Sequence, residues 1–360
     1  MTAKAPSPYR GLPDTAYWRS GVANRPQFST EGLYTPRFRI SRKAKIVTAG
    51  SCFAQHVGRT LKNAGFRIMD GERGPNVPDS VLQRFGYNLY SARYGNVYTT
   101  RQMAQLLAEA FDGFEPTDAI WEKDGRFYDA LRPSVEPDGL PSPEDVRRHR
   151  QSHLAAVREL FSTLDVFVFT FGLTEAWMSQ DGSTVYPTAP GTIAGDYDET
   201  RYKFHNFRYN EVLNDFRAVR KRIRAFNPRA KFLVTVSPVP LTATATGQHV
   251  EVASSYSKSV LRSVCGALYE DYHKDVDYFP SYEVITSQTA RGENFAPNMR
   301  SVTPDGVQRA MSLFMQAHDP DGKVAPKKTG PKPKLKAPPK PEQIEDDVVC
   351  EEALLEAFSK

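Results

Sequence analysis

Residues 45–55 are the part of the sequence best suited to chemistry, because an apolar strand leads directly into Gly50, Ser51 and Cys52 and then into an amphipathic helix. A serine hydroxyl on such a strand-to-helix turn stands clear of the sheet, and the first amide groups of the helix can stabilise negative charge that develops beside it. Gly50 permits the tight turn. Ser51 is therefore a candidate nucleophile, although a serine at this position can also act simply as a helix cap.

Three cysteines bear on redox chemistry and on metal binding. Cys52, Cys265 and Cys350 are far apart and show no CxxC spacing, so neither a disulfide framework nor a cysteine zinc site is indicated. A thiol in the first turn of a helix can have a lowered pKa, which makes Cys52 a rival to Ser51. A small buried apolar side chain is the commoner role of a free cysteine. We expect reduced thiols, no metal and no organic cofactor.

The composition is that of a globular protein. The chain has 360 residues, 40% of them hydrophobic and 25% charged, which suffices for one large domain with extensions. The net charge of +5 is modest, so nucleic acid is not an expected partner. No apolar run reaches the roughly 18 residues of a membrane span, and residues 1–8 have no apolar signal core. We therefore expect a cytoplasmic protein with no membrane span.

Strand and helix patterns alternate along most of the chain. Strands are predicted at residues 45–49, 165–172, 231–237 and 276–279, and helices at residues 53–65, 102–111, 142–164, 211–226, 253–273 and 304–317. This alternation predicts an α/β fold, a three-layer α/β/α sandwich around a mostly parallel sheet. Residues 67–141 are less regular apart from one helix, and we interpret them as an inserted irregular and helical region that could cover a site.

Both ends of the chain differ in composition from the domain at residues 45–320. Residues 1–44 are rich in proline, arginine and aromatic side chains and are predicted to pack as an arm on that domain. Residues 321–341 alternate lysine and proline, which predicts a disordered linker. Residues 342–360 could form a short acidic amphipathic helix, marginal by itself. It could dock on the domain, fold on a protein partner through residues 321–360, or stay loose, which is the default.

Polar residues follow several of the predicted strands. Ser51 follows the first strand, residues 172–175 follow the next, residues 237–241 follow a third, and Tyr282 and Glu283 follow the last. Ligands of open α/β sheets bind beyond the carboxyl ends of the strands, so these groups should converge on one crevice. That convergence supports a functional site better than any single residue does.

Four motifs resemble those of one family. Residues 50–54, Gly-Ser-Cys-Phe-Ala, resemble the motif that names the GSCFA domain family, and residues 172–177, 236–239 and 278–283 resemble its later motifs in the same order. The match spans roughly residues 5–318. The resemblance implies a fold similar to that of the SGNH/GDSL hydrolases, with Ser51 at the position of the nucleophile. It implies a scaffold and a possible chemistry, and it does not identify a substrate.

The resemblance also implies an oxyanion hole. In an SGNH-like mechanism the serine attacks an ester carbonyl, and the oxyanion is held by a backbone amide such as that of Cys52, by a glycine and by a side-chain amide. Here residues 172–174, Gly-Leu-Thr, stand where the hydrolases have Gly-x-Asn. Thr174 would have to supply a hydroxyl, or Gly172 its backbone N–H.

The general base is not evident from the sequence. Where the hydrolases carry Asp-x-x-His, this chain has Asn298 and Ser301, and a serine without a base is a poor nucleophile. His249, in the loop that follows the strand ending at residue 237, is our first candidate for the base, and His205 is the second. Glu175 or Glu283 could orient the histidine, and Glu175 could equally bind a substrate hydroxyl or form a salt bridge.

Aromatic residues near the same positions could bind substrate. Trp177, Tyr186 and Tyr282 could form a wall for a sugar or an acyl chain, with His205 beside them, but aromatic residues are more often part of the core. The first hypothesis is an SGNH-like serine esterase or acyltransferase that acts on a small-molecule or glycan ester, an O-acylated and carbohydrate-type substrate.

Two other functions stay open. The chain could be a catalytically inactive binding or scaffold protein on the same fold, whose C-terminal tail tethers a partner. The lysine-rich tail could also bind nucleic acid without sequence preference, in a strongly salt-dependent way, although this is the weakest of the three.

Overall fold

A parallel four-stranded sheet in the order β1-β4-β8-β9 forms the centre of the computed structural model, which describes residues 7–319 and 350–358. Its strands are β1 (Ile46–Gly50), β4 (Val166–Phe171), β8 (Lys231–Val236) and β9 (Val276–Tyr278). The register pairs Gly50 with Thr170 and Phe171 with Val236. The chain therefore leaves β1, β4 and β8 at the same edge of the sheet, which brings Ser51, Gly172 and Ser237 to one side.

Helices cover both faces of the sheet. They are α1 (Phe53–Asn63), α2 (Asp79–Arg84), α3 (Thr100–Asp112), α4 (Pro143–Thr163), α5 (Tyr209–Phe226), α6 (Val250–Asp271), α7 (Ser281–Thr286) and α8 (Pro304–His318). Side chains alternate across a strand. Accordingly, Phe167 and Phe169 of β4 pack in one buried cluster with α3 to α6, whereas Val166 and Val168 pack in another with α1 and α8. The predicted α/β class and the layered arrangement are confirmed.

Local signals explain where the main helices begin. Thr99 caps α3 in a reciprocal arrangement with Gln102, and the Ser142 hydroxyl accepts a hydrogen bond from the Asp145 amide at the start of α4, where Pro143 follows it. Thr303 caps α8 in the same way through the Gly306 amide. These capped helices lie where the sequence predicted them, within a few residues at each end.

Two small antiparallel sheets accompany the central one. The strands β2 (Ile120–Lys123) and β3 (Arg126–Asp129) form a hairpin, and β5 (Glu175–Ser179) pairs with both β6 (Val185–Tyr186) and β7 (Tyr202–Asn206). No strand of either small sheet was predicted from the sequence. Both sheets lie outside the parallel core, and the second one begins directly after the β4 loop.

The inserted region at residues 67–141 runs along β1. The Ser91 hydroxyl accepts a hydrogen bond from the Thr48 amide, and the Val97 amide donates one of 2.9 Å to the Gly50 carbonyl. Residues 96–98 are thereby held beside the turn that carries Ser51. This region contributes side chains to the candidate site as well as covering it.

The segments at the two ends of the chain also contact the domain. Tyr34 and Ile40 pack in the cluster beneath α8, and the Tyr34 hydroxyl donates to the Asp277 carboxylate at 2.9 Å. Residues 350–358, which include a short 3₁₀ helix (Glu351–Phe358), lie against the carboxyl ends of the strands. The predicted linker at residues 321–341 falls outside the described residues. So do residues 342–349 of the predicted acidic helix. No helix within residues 7–319 or 350–358 has the length and apolar character that crossing a bilayer requires.

Candidate active site

The turn between β1 and α1 places Ser51 at the edge of the sheet. Gly50 has a φ of 142°, and a Cβ on it would lie 2.5 Å from the Thr170 carbonyl oxygen, so only glycine fits between β1 and β4. Ser51 follows at once with only 3% of its surface exposed, and α1 begins two residues later. The serine therefore lies at the start of a helix, as the sequence predicted, but it is buried beneath other residues instead of standing clear of the sheet.

The Ser51 hydroxyl is not committed to any structural role. Its Oγ is buried and has no hydrogen-bond partner among the described residues. An unsatisfied buried hydroxyl costs roughly 1–3 kcal/mol, and the hydroxyls of Thr48 on β1 and Thr170 on β4 are in the same state. Gly172 forms the facing wall, because a Cβ on Gly172 would lie 2.8 Å from the Ser51 Cβ. Any side chain at position 172 would close the space around the serine.

A buried lysine of α6 contacts Gly172. Lys258 of α6 is 5% exposed, and its Nζ donates a hydrogen bond of 2.6 Å to the Gly172 carbonyl oxygen. Burial lowers the pKa of this amine to about 8. The Lys258 amine and the Ser51 hydroxyl thus share Gly172 as a neighbour, and the amine can lose its proton near neutral pH.

Sequence reasoning missed Lys258. The signal was present, since Ser254, Ser257, Lys258, Leu261 and Cys265 form the buried stripe of α6. A lysine within an otherwise apolar and small-residue stripe at helical spacing is unusual, because lysine is almost never fully buried unless it is paired.

Asn96, from the inserted region, is a second side chain that the sequence did not single out. Its Oδ1 accepts from Gln55 Nε2 at 3.4 Å and from the Tyr90 hydroxyl, which is also 3.2 Å from the Ser51 carbonyl oxygen. Asn96 is 3% exposed. Its Nδ2 donates a hydrogen bond to the carboxylate of Glu351.

The oxyanion donors implied by the family resemblance are occupied by other partners. The Gly172 amide donates to the Tyr98 carbonyl at 3.1 Å. The Thr174 hydroxyl donates to Asn206 Oδ1 at 2.7 Å, and the Thr174 amide donates to the Ser257 hydroxyl at 3.0 Å. By contrast, the Cys52 amide at the start of α1 donates no hydrogen bond to any described residue.

The candidate histidines have other contacts. His249 is exposed and caps α6, where its Nδ1 accepts from the Glu251 amide at 3.2 Å. His205 of β7 is paired through Nε2 with the Glu211 carboxylate at 2.8 Å, and its ring packs on Phe207. Within the described part of the chain no histidine is hydrogen-bonded to Ser51. A role for His249 as the base stays a prediction without geometric support.

The acidic candidates also have defined partners. Glu175, at the start of β5, accepts from the Thr244 hydroxyl at 2.8 Å, and burial raises the pKa of its carboxyl. Glu283 of α7 forms an ion pair with Arg262 and accepts from the Tyr278 hydroxyl at 2.7 Å. Neither carboxylate contacts a histidine among the described residues. Glu175 borders the site, whereas the contacts of Glu283 are those of a structural residue.

Asn298 and Ser301 are hydrogen-bonded to one another. Asn298 Nδ2 donates to the Ser301 hydroxyl at 3.0 Å, and Asn298 Oδ1 accepts from the amides of Arg300 and Ser301. This is the geometry of a turn that leads into α8. The pair contributes no acid and no base, in agreement with the reading of the sequence.

A mostly apolar cavity of about 210 Å³ lies between the sheet formed by β5, β6 and β7 and the C-terminal segment, and Ser51 is not among its lining residues. Its lining includes Leu173, Trp177, Tyr186 and Phe204. Trp177 is half-buried, and its ring packs against Tyr197 and Phe204. Tyr282 does not line this cavity and packs instead against the main hydrophobic core. Trp177 and Tyr186 thus lie on the predicted aromatic wall, and Tyr282 does not.

The C-terminal residues 350–358 cover the crevice. The Glu351 carboxylate accepts from Asn96 Nδ2, from the Tyr98 hydroxyl at 2.8 Å and from the Ser134 hydroxyl. Arg300 donates to the Glu352 carboxylate at 3.3 Å and to Cys350 Sγ at 3.5 Å. Glu351, Glu352 and Leu355 also border the cavity.

Contacts between this segment and the domain shift the pKa values of several side chains. The Cys52 thiol is hydrogen-bonded to Cys350, which raises the pKa of Cys52 and lowers that of Cys350 to about 6, with the Arg300 guanidinium favouring the Cys350 thiolate. Burial raises the pKa of the Glu352 carboxyl, and the Arg300 guanidinium and the Lys258 amine oppose this shift by favouring the charged form. Cys52 is therefore a poor nucleophile in this arrangement. Within residues 7–319 and 350–358 no three histidine, cysteine or acidic residues group as a metal site would require.

Fold and site together define an α/β/α protein with a serine on the first strand-to-helix turn of a parallel sheet. Residues 45–314 match the GSCFA family. Since the match covers more than half of the chain, the protein belongs to the GSCFA family. This confirms the resemblance seen in the four motifs.

Other known proteins add little to that assignment. No curated protein matches the chain. One solved structure that resembles it is described as "a putative platelet activating factor from Streptococcus pneumonia", with 13% sequence identity and a TM-score of 0.26. The similarity covers 43% of this chain and 59% of the other one. A likeness this weak decides nothing about activity.

Proposed function

We propose that this protein is a serine esterase or acyltransferase in which Ser51 is the nucleophile and Lys258 is the general base. The observation that carries the proposal is the buried Lys258 amine held 2.6 Å from the carbonyl of Gly172, the residue that faces Ser51. A base is most effective when its pKa lies near the working pH, and burial lowers the pKa of Lys258 to about 8. Serine–lysine pairs are a known variant of the serine triad.

The proposed reaction begins with the neutral Lys258 amine. After its side chain turns from the Gly172 carbonyl toward Ser51, the amine takes the hydroxyl proton as Oγ forms a bond to the ester carbonyl carbon. The carbonyl electrons move to oxygen and give a tetrahedral oxyanion. Collapse breaks the ester C–O bond, and Lys258 returns its proton to the departing alcohol. Water, or the hydroxyl of an acceptor, then repeats these steps on the acyl-serine.

We assign the oxyanion to the Cys52 amide and to Asn96 Nδ2, in place of Gly172 and Thr174. The Cys52 amide points from the N-terminus of α1, where backbone donors favour negative charge. Asn96 Nδ2 already binds an anionic oxygen, that of Glu351. Gly172 and Thr174 are less suitable because their donors have other partners.

The substrate class is an O-acylated, carbohydrate-type ester. The apolar cavity beside the crevice suits the acyl part, since apolar walls with few polar groups bind such groups through burial. Trp177 and Tyr186 supply aromatic surface to the cavity, and Glu175 supplies a carboxylate that can accept a hydrogen bond from a sugar hydroxyl. His205 lies on the neighbouring strand β7 and pairs with Ala176 across the sheet.

The alternative is a binding or scaffold protein that has lost catalysis. Asn298 and Ser301 favour it, because they are tied to one another where related hydrolases would hold an acid and a histidine. Under this alternative Lys258 is only the partner of the Gly172 carbonyl. The two functions differ in whether Ser51 reacts.

A serine-directed fluorophosphonate tests the proposal. We expect covalent labelling of Ser51 in the full-length chain and none in Ser51→Ala, with intact mass and peptide mapping as the measurement. Because residues 350–358 lie over the crevice, the same comparison should be made in a full-length chain with Glu351→Ala and Glu352→Ala. Ser152→Ala is the matched control, since Ser152 is exposed on α4.

The expected stability is a second part of this test. Ser51 Oγ makes no hydrogen bond to a described residue, so Ser51→Ala should not lower the Tm. Two outcomes would overturn the proposal and favour the scaffold. One is labelling that persists in Ser51→Ala. The other is no labelling of Ser51 in either the wild-type chain or the chain with Glu351→Ala and Glu352→Ala.

A further inference from the structure

The C-terminal segment, residues 350–358, is seated on the candidate active site by specific polar contacts. Glu351 is only 4% exposed, and its carboxylate accepts hydrogen bonds from Asn96, Tyr98 and Ser134. Asn96 and Tyr98 are themselves 3% exposed. A carboxylate is costly to bury unless hydrogen bonds satisfy it, and here they do.

Two cations on the main domain complement the next acidic residue of the segment. The Arg300 guanidinium is within 3.3 Å of the Glu352 carboxylate, and the Lys258 amine interacts electrostatically with the same group. Cys350 adds contacts to Arg300 and to Cys52. Acidic groups of the segment thus meet basic groups of the crevice, which is the electrostatic complementarity of a specific binding surface.

The contacts fall on the groups that the proposed reaction needs. Asn96 Nδ2 holds Glu351 where it would hold an oxyanion, and Lys258 is close enough to Glu352 for the carboxylate to favour its protonated form. Leu355 helps to line the apolar cavity. Substrate therefore could not use the oxyanion donor or the base while the segment stays in place.

We propose that residues 350–358 are an intramolecular inhibitor, an acidic pseudo-substrate that must leave the Ser51 crevice before a substrate can enter. The inhibitory role rests on the proposed function, because only an active enzyme can be inhibited. The docking of the segment on the domain does not depend on that function. The segment binds through Glu351 and Glu352, and Leu355 helps to line the cavity. Exposed members of the same segment, such as Leu354, take no part.

Thiol alkylation measures the seating directly. Cys52 lies beneath Cys350, and Cys265 is fully buried in the core, so the second thiol reports global unfolding in the same molecule. In a full-length Cys350→Ser chain, we expect Glu351→Ala with Glu352→Ala to raise the rate of Cys52 alkylation by iodoacetamide at least about tenfold, which corresponds to about 1.4 kcal/mol of lost docking free energy. The rate at Cys265 should not change.

Leu354→Ala in the same Cys350→Ser chain is the control, because Leu354 belongs to the segment but is 48% exposed. It should leave the Cys52 rate unchanged. If the double glutamate variant also leaves that rate unchanged, the segment does not cover the crevice and the proposal is overturned.

Fluorophosphonate labelling of Ser51 in the same variants distinguishes inhibition from mere covering. Faster labelling after removal of the two glutamates supports the inhibitor. Equal labelling rates with and without them would overturn the inhibitor while leaving the esterase intact. Faster Cys52 alkylation with no labelling of Ser51 would overturn both the inhibitory role and the proposed esterase. The segment would then dock over a site that has no catalytic activity.

Oxidative cross-linking tests the position of the segment independently. The thiols of Cys52 and Cys350 are hydrogen-bonded, so brief treatment of the full-length chain with oxidised glutathione should link them. One thiolate displaces glutathione from the disulfide, and the second thiol displaces the other glutathione, so that two electrons pass to the reagent. A Cys52–Cys350 peptide that persists in Cys265→Ser supports the seating, and its absence contradicts it.

Discussion

Lys258 Nζ lies 2.6 Å from the carbonyl oxygen of Gly172. The two residues are 86 positions apart in sequence; Gly172 directly follows β4, and Lys258 lies on α6. Since Gly172 also faces the Ser51 Cβ, this one hydrogen bond orients a titratable amine toward the wall of the serine crevice. The catalytic proposal and the expected pH dependence rest on this contact.

The pH dependence of Ser51 reactivity should follow Lys258. The neutral amine is the base, and with a pKa of about 8 roughly a tenth of it is neutral at pH 7 and about half at pH 8. The rate of fluorophosphonate labelling should therefore rise through pH 7–8 and level off above about pH 9. Lys258→Arg keeps the positive charge but cannot lose a proton at these pH values, so it should abolish this rise.

Lys221→Arg, on the exposed face of α5, is the matched control and should keep the wild-type profile. The Glu352 carboxylate raises the pKa of Lys258, so Glu352→Ala should move the rising limb to lower pH. A Lys258→Arg chain with an unchanged pH profile would show that another group is the base.

Gly172→Ala should damage both the site and the fold. The new Cβ would lie 2.8 Å from the Ser51 Cβ and 2.9 Å from the Tyr98 carbonyl oxygen, and such overpacking typically costs about 1–3 kcal/mol. We expect a lower free energy of unfolding in urea and little labelling of Ser51. Gly266→Ala within α6 meets only the flexible end of Arg262 and should be neutral or stabilising by up to about 1 kcal/mol. Equal effects of the two substitutions would contradict the packing argument.

Asn96→Ala should lower the turnover of an activated ester more than it changes KM. Removal of one oxyanion donor typically lowers kcat by about 10²–10³-fold. The measurement is best made in the chain that carries Glu351→Ala and Glu352→Ala, since Asn96 otherwise binds Glu351. Asn63→Ala, at the exposed end of α1, is the control. A change confined to KM, or a fall in Tm that accounts for the lost turnover, would argue against the assignment.

Mild acid should destabilise the fold through His153. Its ring is 0% exposed, and burial lowers its pKa to about 4, whereas an unfolded histidine titrates near 6.5. Below pH 6.5 the unfolded chain binds a proton that the folded chain does not, so the free energy of unfolding falls as the pH drops from 6.5 toward 4, by up to about 3 kcal/mol. His153→Gln should reduce this slope in urea titrations at several pH values, and the part contributed by His318, whose pKa burial also lowers to about 4, should remain.

His149 lies one turn from His153 on α4 and is partly exposed, so His149→Gln is the matched control and should keep the slope. Glu72, which pairs with His153 at 2.7 Å, has a pKa lowered to about 2. Its own contribution is lost only below about pH 4.5, so the comparison belongs between pH 4.5 and 6.5. An unaltered slope in His153→Gln would exclude this histidine as the acid-sensitive group.

Much of the fold could be predicted because its signals are local. The apolar run of β4 predicted a strand buried on both faces, and Ser142 with Pro143 marked the start of α4. The β5–β7 sheet was missed because its strands are short and pair across loops, so that no periodic pattern of useful length marks them. Residues 67–141 also lack a periodic pattern apart from one helix. The sequence therefore did not reveal that this region places Asn96 near the turn that carries Ser51.

The sequence by itself determined the parallel α/β core and the position of Ser51 on its first turn, because hydrophobic period, capping residues and Gly50 act within a few residues of one another. Only the tertiary structure decided what surrounds that serine. Lys258, Asn96 and Glu351 reach the crevice from a distant helix, an irregular insertion and the C-terminal segment. Which of them meet depends on long-range packing and on the desolvation of buried charge, and neither leaves a local pattern in the chain.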